Sequence, residues 1–259
     1  MPTTPPAFLI DDDTLATAEA GTTMQLAGPE GRHAAKVARI GVGERLLLTD
    51  HAGRQAPATV TAARKEALDL VLEEAPSAPV ERTPRLVLVQ ALATGGRDEQ
   101  AVESATELGV DEVIPWIAQR SVSVWRGPKL EKGREKWESM VRAAVKQCRR
   151  RGVPQVAAAV DSRALTALIQ ERCEQGALAL VLHEQESSAL MALREEIAAS
   201  TAPQILVLVG PEGGISQEEL QALRGAGARS VLLGPEVLRS STAGPAALAV
   251  LSSLLGRWS

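Results

Sequence analysis

Val209-Gly210-Pro211-Glu212-Gly213-Gly214-Ile215-Ser216 joins an apolar run at residues 205–209 to a segment of helical periodicity at 216–225. The run is short, continuous and β-branched, as a strand buried on both faces of a sheet must be. Three glycines then permit close backbone approach to a ligand. Ser216, with Glu219 three residues on, is the signature of a capping box that opens a helix. A glycine loop at the carboxyl end of a parallel strand is where open α/β sheets bind small molecules. Taken alone, the loop has a plainer alternative as a tight strand-to-helix turn.

Its neighbours strengthen the ligand reading. The next strand, residues 230–233, ends in Leu233-Gly234-Pro235-Glu236-Val237-Leu238-Arg239-Ser240-Ser241-Thr242-Ala243-Gly244-Pro245, a second Gly/Pro loop that leads into an apolar helix at 242–255. Pro245 suits the first turn of that helix, where a missing amide hydrogen costs nothing. An earlier strand, residues 178–182, ends in Leu182-His183-Glu184. Three strand ends of one sheet are expected to enclose one ligand. Neither nucleotide fingerprint is present, neither GxGxxG after the first strand nor GxxxxGK[ST], and there is no GxSxG elbow, so the ligand must be held mostly by backbone groups.

Working outward, residues 85–92 and 112–117 read as strands, and 98–108, 129–148 and 162–175 as helices. Buried strand alternating with helix means a mainly parallel sheet covered on both faces. The helix at 242–255 is apolar nearly all round and so is buried in the fold or in a subunit interface. Before residue 75 the pattern differs: short β-like runs at 22–26, 44–49, 58–61 and 67–72, with one helix at 31–40, suggest a small barrel. Ala75-Pro76-Ser77-Ala78-Pro79 and then Pro84 interrupt it, because proline restricts both itself and its predecessor. The expected organisation is a barrel at 1–75, a linker at 76–84 and an α/β domain at 85–259.

Bulk properties narrow the function. The 259 residues are 45% hydrophobic and 23% charged, a globular composition. No apolar run approaches the roughly 20 residues needed to cross a bilayer. The first ten residues lack the basic start, apolar core and cleavage site of a secretory leader, so a cytoplasmic address is expected. Cys148 and Cys173 form neither a CxxC pair nor a ligand cluster with His33, His51 and His183, so reduced thiols and no metal are expected. Four Trp, one Phe and no Tyr leave too few aromatics for a base-stacking sheet. The net charge of −4 is uneven: residues 120–151 hold eleven Lys or Arg against three Glu. Arg120, Arg126, Lys129, Lys132, Lys146, Arg149, Arg150 and Arg151 there make a patch that phosphates would find. The last four equally suit a solvated helix C-terminus. Trp116 and Trp125 lie in the same region; core packing is the stronger reading of Trp116, and Trp125 is a candidate to stack a base.

Gln90-Ala91-Leu92, Ala105-Thr106-Glu107-Leu108-Gly109-Val110 with Ile114-Pro115, Arg120-Ser121-Val122, Ala143-Ala144-Val145-Lys146-Gln147, the GPEGG loop and LGPEVLRSSTAGPAAL follow one another in the order found in a known family. Together they resemble the RsmE family of 16S ribosomal RNA (uracil-N3)-methyltransferases, from about residue 85 to the end. Gly31-Arg32-His33 through Gly41-Val42-Gly43-Glu44 looks like the family's N-terminal segment, and Arg32 joins the RNA-contact candidates on that ground.

The resemblance implies a PUA-like β-barrel that helps bind RNA, then a SPOUT methyltransferase domain whose C-terminal chain forms a trefoil knot around S-adenosylmethionine. It also implies a homodimer acting on 16S rRNA or the small ribosomal subunit. For the cofactor it points to Gly210, Pro211, Glu212, Gly213, Gly214, Leu233, Gly234 and Leu238, with His183 (through its backbone) and Thr242 behind them. A neutral uracil N3 must lose its proton before it attacks a sulfonium methyl, so positive charge near the uracil oxygens would help. Arg239 is the candidate for that charge; an ion pair with Glu236 or Glu212 is its structural alternative. Glu212 is a candidate general base or, preferably, a loop anchor. Two other functions stay open: a methyltransferase of the same class with another RNA target, and a non-catalytic ribosome-assembly factor.

Overall fold

A computed structural model describes residues 5–10 and 13–258. The chain divides into two compact units, Met1–Glu81 with Val145–Val153, and Arg82–Ala144 with Pro154–Ser259. Residues 145–153, expected to belong to the C-terminal domain, thus sit with the first unit. The reason is local bonding: Lys146 pairs with Glu30, Arg151 donates to Gly53 O at 3.0 Å and Ser77 Oγ at 2.6 Å, and Val153 N donates to His51 O at 3.3 Å.

In the first unit five strands, β1 (Ala7–Leu9), β2 (Thr23–Leu26), β3 (Arg45–Thr49), β4 (Gln55–Ala63) and β5 (Leu68–Leu72), form a mixed sheet in the order β1-β3-β4-β5-β2. Two short helices, α1 (Thr14–Thr17) and α2 (Gly28–Arg32), accompany it, the second continuing into a π turn at His33–Val37. The helix expected at 31–40 therefore begins and ends three residues earlier. Alternate residues of β4 and β5 (Ala56, Ala58, Val60; Leu68, Leu70, Leu72) point into one core, the period-two pattern of a sheet with one wet face. Phe8 of β1 and Leu26 of β2 enter the same core from the two ends of the strand order, so the sheet curls round it. β1 is too short to carry a periodic signal; it exists because it pairs in parallel with β3.

The second unit alternates strand and helix: β6 (Arg85–Ala91), α3 (Arg97–Glu107), β7 (Glu112–Ile117), α4 (Pro128–Cys148), β8 (Gln155–Val156), β9 (Val160–Asp161), α5 (Ser162–Glu174), β10 (Leu178–Leu182), α6 (Arg194–Ala198), β11 (Gln204–Val209), α7 (Gln217–Gly225), β12 (Arg229–Val231) and α8 (Ser240–Leu254). The last turn of α4 counts with the first unit. All ladders of the sheet are parallel, in the order β12-β10-β11-β6-β7-β8, with β9 also on β7. Val87 and Val89 face a core completed by Leu165 and Ile169 of α5 and Leu220 and Leu223 of α7. Leu88 faces the other way, toward α8, where a Cβ added at Gly244 would stand 2.8 Å from Leu88 Cδ1. Each fully buried Leu or Val contributes roughly 1.5–3 kcal/mol, so aliphatic packing supplies most of this core, with Trp116 its one aromatic member among the described residues.

One local expectation fails. α8 begins at Ser240 with Arg239 as its N-cap, which places Pro245 inside the helix rather than in its first turn. The chain turns helical as soon as the β12 loop ends, so the proline falls in the second turn, where its missing N–H leaves the carbonyl of Ser241 without its helical donor.

Candidate active site

Adjacent strands β12, β10 and β11 all end on the same side of the parallel sheet, and their following loops line one cavity of about 640 Å³. From β10 come Leu182, His183, Glu184 and Gln185; from β11, residues 209–215 and Gln217; from β12, Leu232, Leu233, Gly234 and residues 236–240, then Ala243. Arg97 and Arg120 complete the wall. Among the ten residues expected to hold the ligand, Thr242 lies outside this lining: it is exposed on α8 and its N–H is spent on Arg239 O at 2.8 Å.

The loop after β11 is tightly built. A Cβ at Gly210 would stand 2.6 Å from Ile215 Cγ1, which forces a shift, and one at Gly213 would crowd Arg120 Cβ at 3.1 Å, so the backbone turns where side chains fit poorly. Glu212 Oε1 accepts from Thr94 N at 2.9 Å, Thr94 Oγ1 at 2.9 Å and Arg97 Nη1 at 2.8 Å. Partial burial pushes its pKa up, but its own backbone N–H, Arg97 and both Thr94 donors outweigh that and hold the carboxyl at about 2. Arg120 Nη1 donates to Gly213 O at 3.2 Å. The capping box forms as expected, Ser216 Oγ accepting from Glu219 N while Glu219 Oε2 accepts from Ser216 N at 3.0 Å. The buried Glu219 also accepts from Gln119 N at 2.7 Å and from Ser162 Oγ, which in turn accepts from Trp116 Nε1 at 3.1 Å. Trp116 is therefore core, and its polar edge is spent on the network beneath the loop.

The loop after β12 is open. Among the described residues no protein group hydrogen-bonds the backbone of residues 233–238, and Ser240 Oγ is buried without a partner. Arg239 is exposed and makes no ion pair among the described residues, so neither Glu236 nor Glu212 neutralises it. At the third strand end, His183 N donates to Val231 O at 3.1 Å and Nδ1 accepts from Gln185 N at 3.3 Å. Both backbone groups of His183, expected to line the ligand site, thus have protein partners, the carbonyl accepting from Glu186 N at 3.4 Å, and the imidazole Nε2 edge is what His183 retains.

Residues 81–252 match the family model described as an RNA methyltransferase domain, and residues 26–73 match the RNA methyltransferase PUA domain. Ribosomal RNA small subunit methyltransferase E of Mycobacterium bovis is 40% identical over 252 residues, 97% of this chain and 94% of that protein. The chain belongs to the ribosomal RNA small subunit methyltransferase E family. The solved methyltransferase E of Neisseria gonorrhoeae, bound to S-adenosylmethionine, superposes with a TM-score of 0.83 at 25% identity, covering 97% of this chain and 98% of that one. A Legionella pneumophila methyltransferase solved with the same cofactor gives 0.82 at 26% identity, with the same coverage of both chains.

In this chain the cavity fits that cofactor on its own terms. It has a glycine loop in which a Cβ at Gly210 or Gly213 would press on Ile215 or Arg120, unspent backbone groups at 233–238 that suit a base edge, and the orphaned Ser240 hydroxyl. Arg97 and Arg120 are the site residues that sequence reading missed as such. Arg120 was placed with the RNA patch, and its bond to Gly213 moves it into the cavity wall. The other basic candidates split between the units. Arg126, Lys129 and Lys132, and Arg149 in the first unit, are exposed and without ion pairs among the described residues. Arg32 pairs with Glu66 at 3.5 Å, Lys146 with Glu30, and Arg151 is spent on Gly53, Ser77 and Ala78; Arg150 is half-buried. No group of three His, Cys, Asp or Glu among the described residues has the geometry of a metal site, and no helix is long and apolar enough to cross a membrane.

Proposed function

We propose that this chain transfers a methyl group from S-adenosylmethionine to N3 of a uridine in 16S ribosomal RNA of the small subunit, as a cytoplasmic homodimer. The observation that carries the proposal is the cavity shared by three parallel strand ends, with one anchored loop and one whose backbone is unspent, in a chain 40% identical to a small-subunit methyltransferase E.

S-adenosylmethionine supplies an already activated, cationic methyl group. Residues 210–214 hold it by close backbone approach, and the backbone of 233–238 reads its base. The trefoil knot of the class belongs to the same proposal; the strand order β12-β10-β11-β6, in which late strands flank an earlier one, supports it. Arg239 carries an uncompensated guanidinium at the cavity edge, and its role is to stabilise negative charge on the uracil oxygens as the N3 proton leaves. Glu212, held at about 2 and bonded to three donors, is a poor proton acceptor at neutral pH and serves as the loop anchor. Val237 and Leu238, 73% and 39% exposed at the cavity rim, support a second copy as the cover. Arg126, Lys129, Lys132 and Arg149 are the patch residues left for RNA phosphates, so affinity falls as salt rises.

The test is incubation of the purified chain with labelled S-adenosylmethionine and small subunits from cells lacking the enzyme, followed by nucleoside analysis. 3-Methyluridine in 16S rRNA is the expected product. Label in another nucleoside, or only in transfer RNA, moves the chain to a different target; cofactor binding without transfer to any RNA leaves the assembly-factor reading.

A further inference from the structure

Beside the loop that follows β6 lies a second cavity, about 500 Å³, which the cofactor site does not use. Thr94 links the two: it lines this cavity and donates both of its hydrogen bonds to Glu212, which lines the first. Trp125 forms part of the lining. Its ring lies against Gly133, where an added Cβ would stand 2.4 Å from Trp125 Cε2, and its edge meets the buried Trp137 at 5.3 Å and 75°. The ring is thus fixed in place and only half-buried. In a chain with so few aromatics it is notable that Trp116 and Trp137 are fully buried and Trp125 is not.

The polar groups of this cavity select its occupant. Asp98 is 5% exposed, and burial pushes its pKa up against the hydrogen bonds it accepts from the Glu99 and Ala93 amides. Lys136, the one cation of the lining, is already paired with Glu99. A phosphate would meet a carboxylate and no unpaired cation. A flat neutral ring with an N–H edge would meet an aromatic face and a carboxylate acceptor, which is how unpaired bases are recognised.

Resting on the methyltransferase reading above, we propose that this cavity seats an unstacked base of the RNA substrate, packed on Trp125 and hydrogen-bonded through an N–H edge to Asp98. The Thr94–Glu212 wall then lies between the seated base and the site of methyl transfer, so binding of RNA beside the target is coupled to the loop that holds the cofactor.

The test uses the full chain carrying Trp258→Phe, which removes the exposed tryptophan emitter, and a single-stranded oligoribonucleotide spanning the methylated site. RNA is expected to quench the remaining accessible emission, and adding Trp125→Phe is expected to abolish that quenching. In turnover, Trp125→Leu and Asp98→Asn are each expected to raise KM for RNA about tenfold, the scale of one lost stacking or base-edge contact. Kd for S-adenosylmethionine should stay within about twofold, and Trp125→Phe should restore most of the RNA affinity because it keeps a ring. Quenching that survives Trp125→Phe, or an RNA KM unmoved by both Trp125→Leu and Asp98→Asn, overturns the proposal. Absence of 3-methyluridine with the unaltered protein removes the methyltransferase reading instead; quenching needs no turnover and judges the cavity by itself.

Discussion

Gly210-Pro211-Glu212 and Gly234-Pro235-Glu236 are the same three residues at the ends of two strands of one sheet, and the fold treats them in opposite ways. Glu212 accepts three hydrogen bonds and its loop is pinned again at Gly213 and Ser216. Glu236 is exposed, makes no ion pair among the described residues, and the backbone around it is unspent. The tripeptide itself does not explain this; the strand it follows does. β11 lies inside the sheet between β10 and β6, so its loop meets the loop after β6, where Thr94 and Arg97 wait. β12 is the edge strand, with β10 on one side and only a single bridge, Leu232 to Ala189, on the other. One wall of the cavity is therefore fixed by the protein's own bonds, and the other keeps its bonding capacity unspent.

If that division is right, the largest effect comes from the open side. Arg239→Ala should cut kcat about 10²- to 10³-fold, the loss seen when one donor to a developing oxyanion is removed, while Kd for S-adenosylmethionine changes little. A parallel fall in cofactor affinity would make Arg239 a binding residue and erase the contrast. On the anchored side, Glu212→Gln gives up charge-assisted hydrogen bonds. We expect about 1–2 kcal/mol of stability loss by denaturant titration, below the full value because the carboxylate is 29% exposed. That contribution also has a pH signature. The folded chain holds Glu212 at about 2, below its ordinary 4.5, so its stabilisation is complete above about pH 4.5 and lost as pH falls through about 2. The Tm gap between the unaltered chain and Glu212→Gln should be constant near neutrality and close in that acid window. Glu236→Gln, its counterpart, should change stability by less than about 0.5 kcal/mol; an effect as large as that of Glu212→Gln would mean that the two loops are not different in kind.

Much of this was open to reading in the residue order. The apolar runs, the helical spacing after them and the Ser216–Glu219 box are local patterns, and local patterns need only a few residues and the backbone's periodicity. For the same reason the parallel sheet and the three loops that line one cavity were legible. Pro245 was misplaced because the start of α8 depends on where the β12 loop finishes, and the displacement of 145–153 to the first unit depends on side chains such as Arg151 finding carbonyls far away in sequence.

Which segments become strands, which loops are rich in glycine and which family the motifs resemble are properties written in neighbouring residues, so residue order alone carries them. Only the tertiary structure decided that Thr94 and Arg97 hold Glu212 across more than a hundred residues, that Arg120 closes on Gly213, and that Trp125 stands half-exposed over Gly133. Those contacts follow from the order of strands in the sheet, and strand order is set by packing of the whole chain, which no local period encodes.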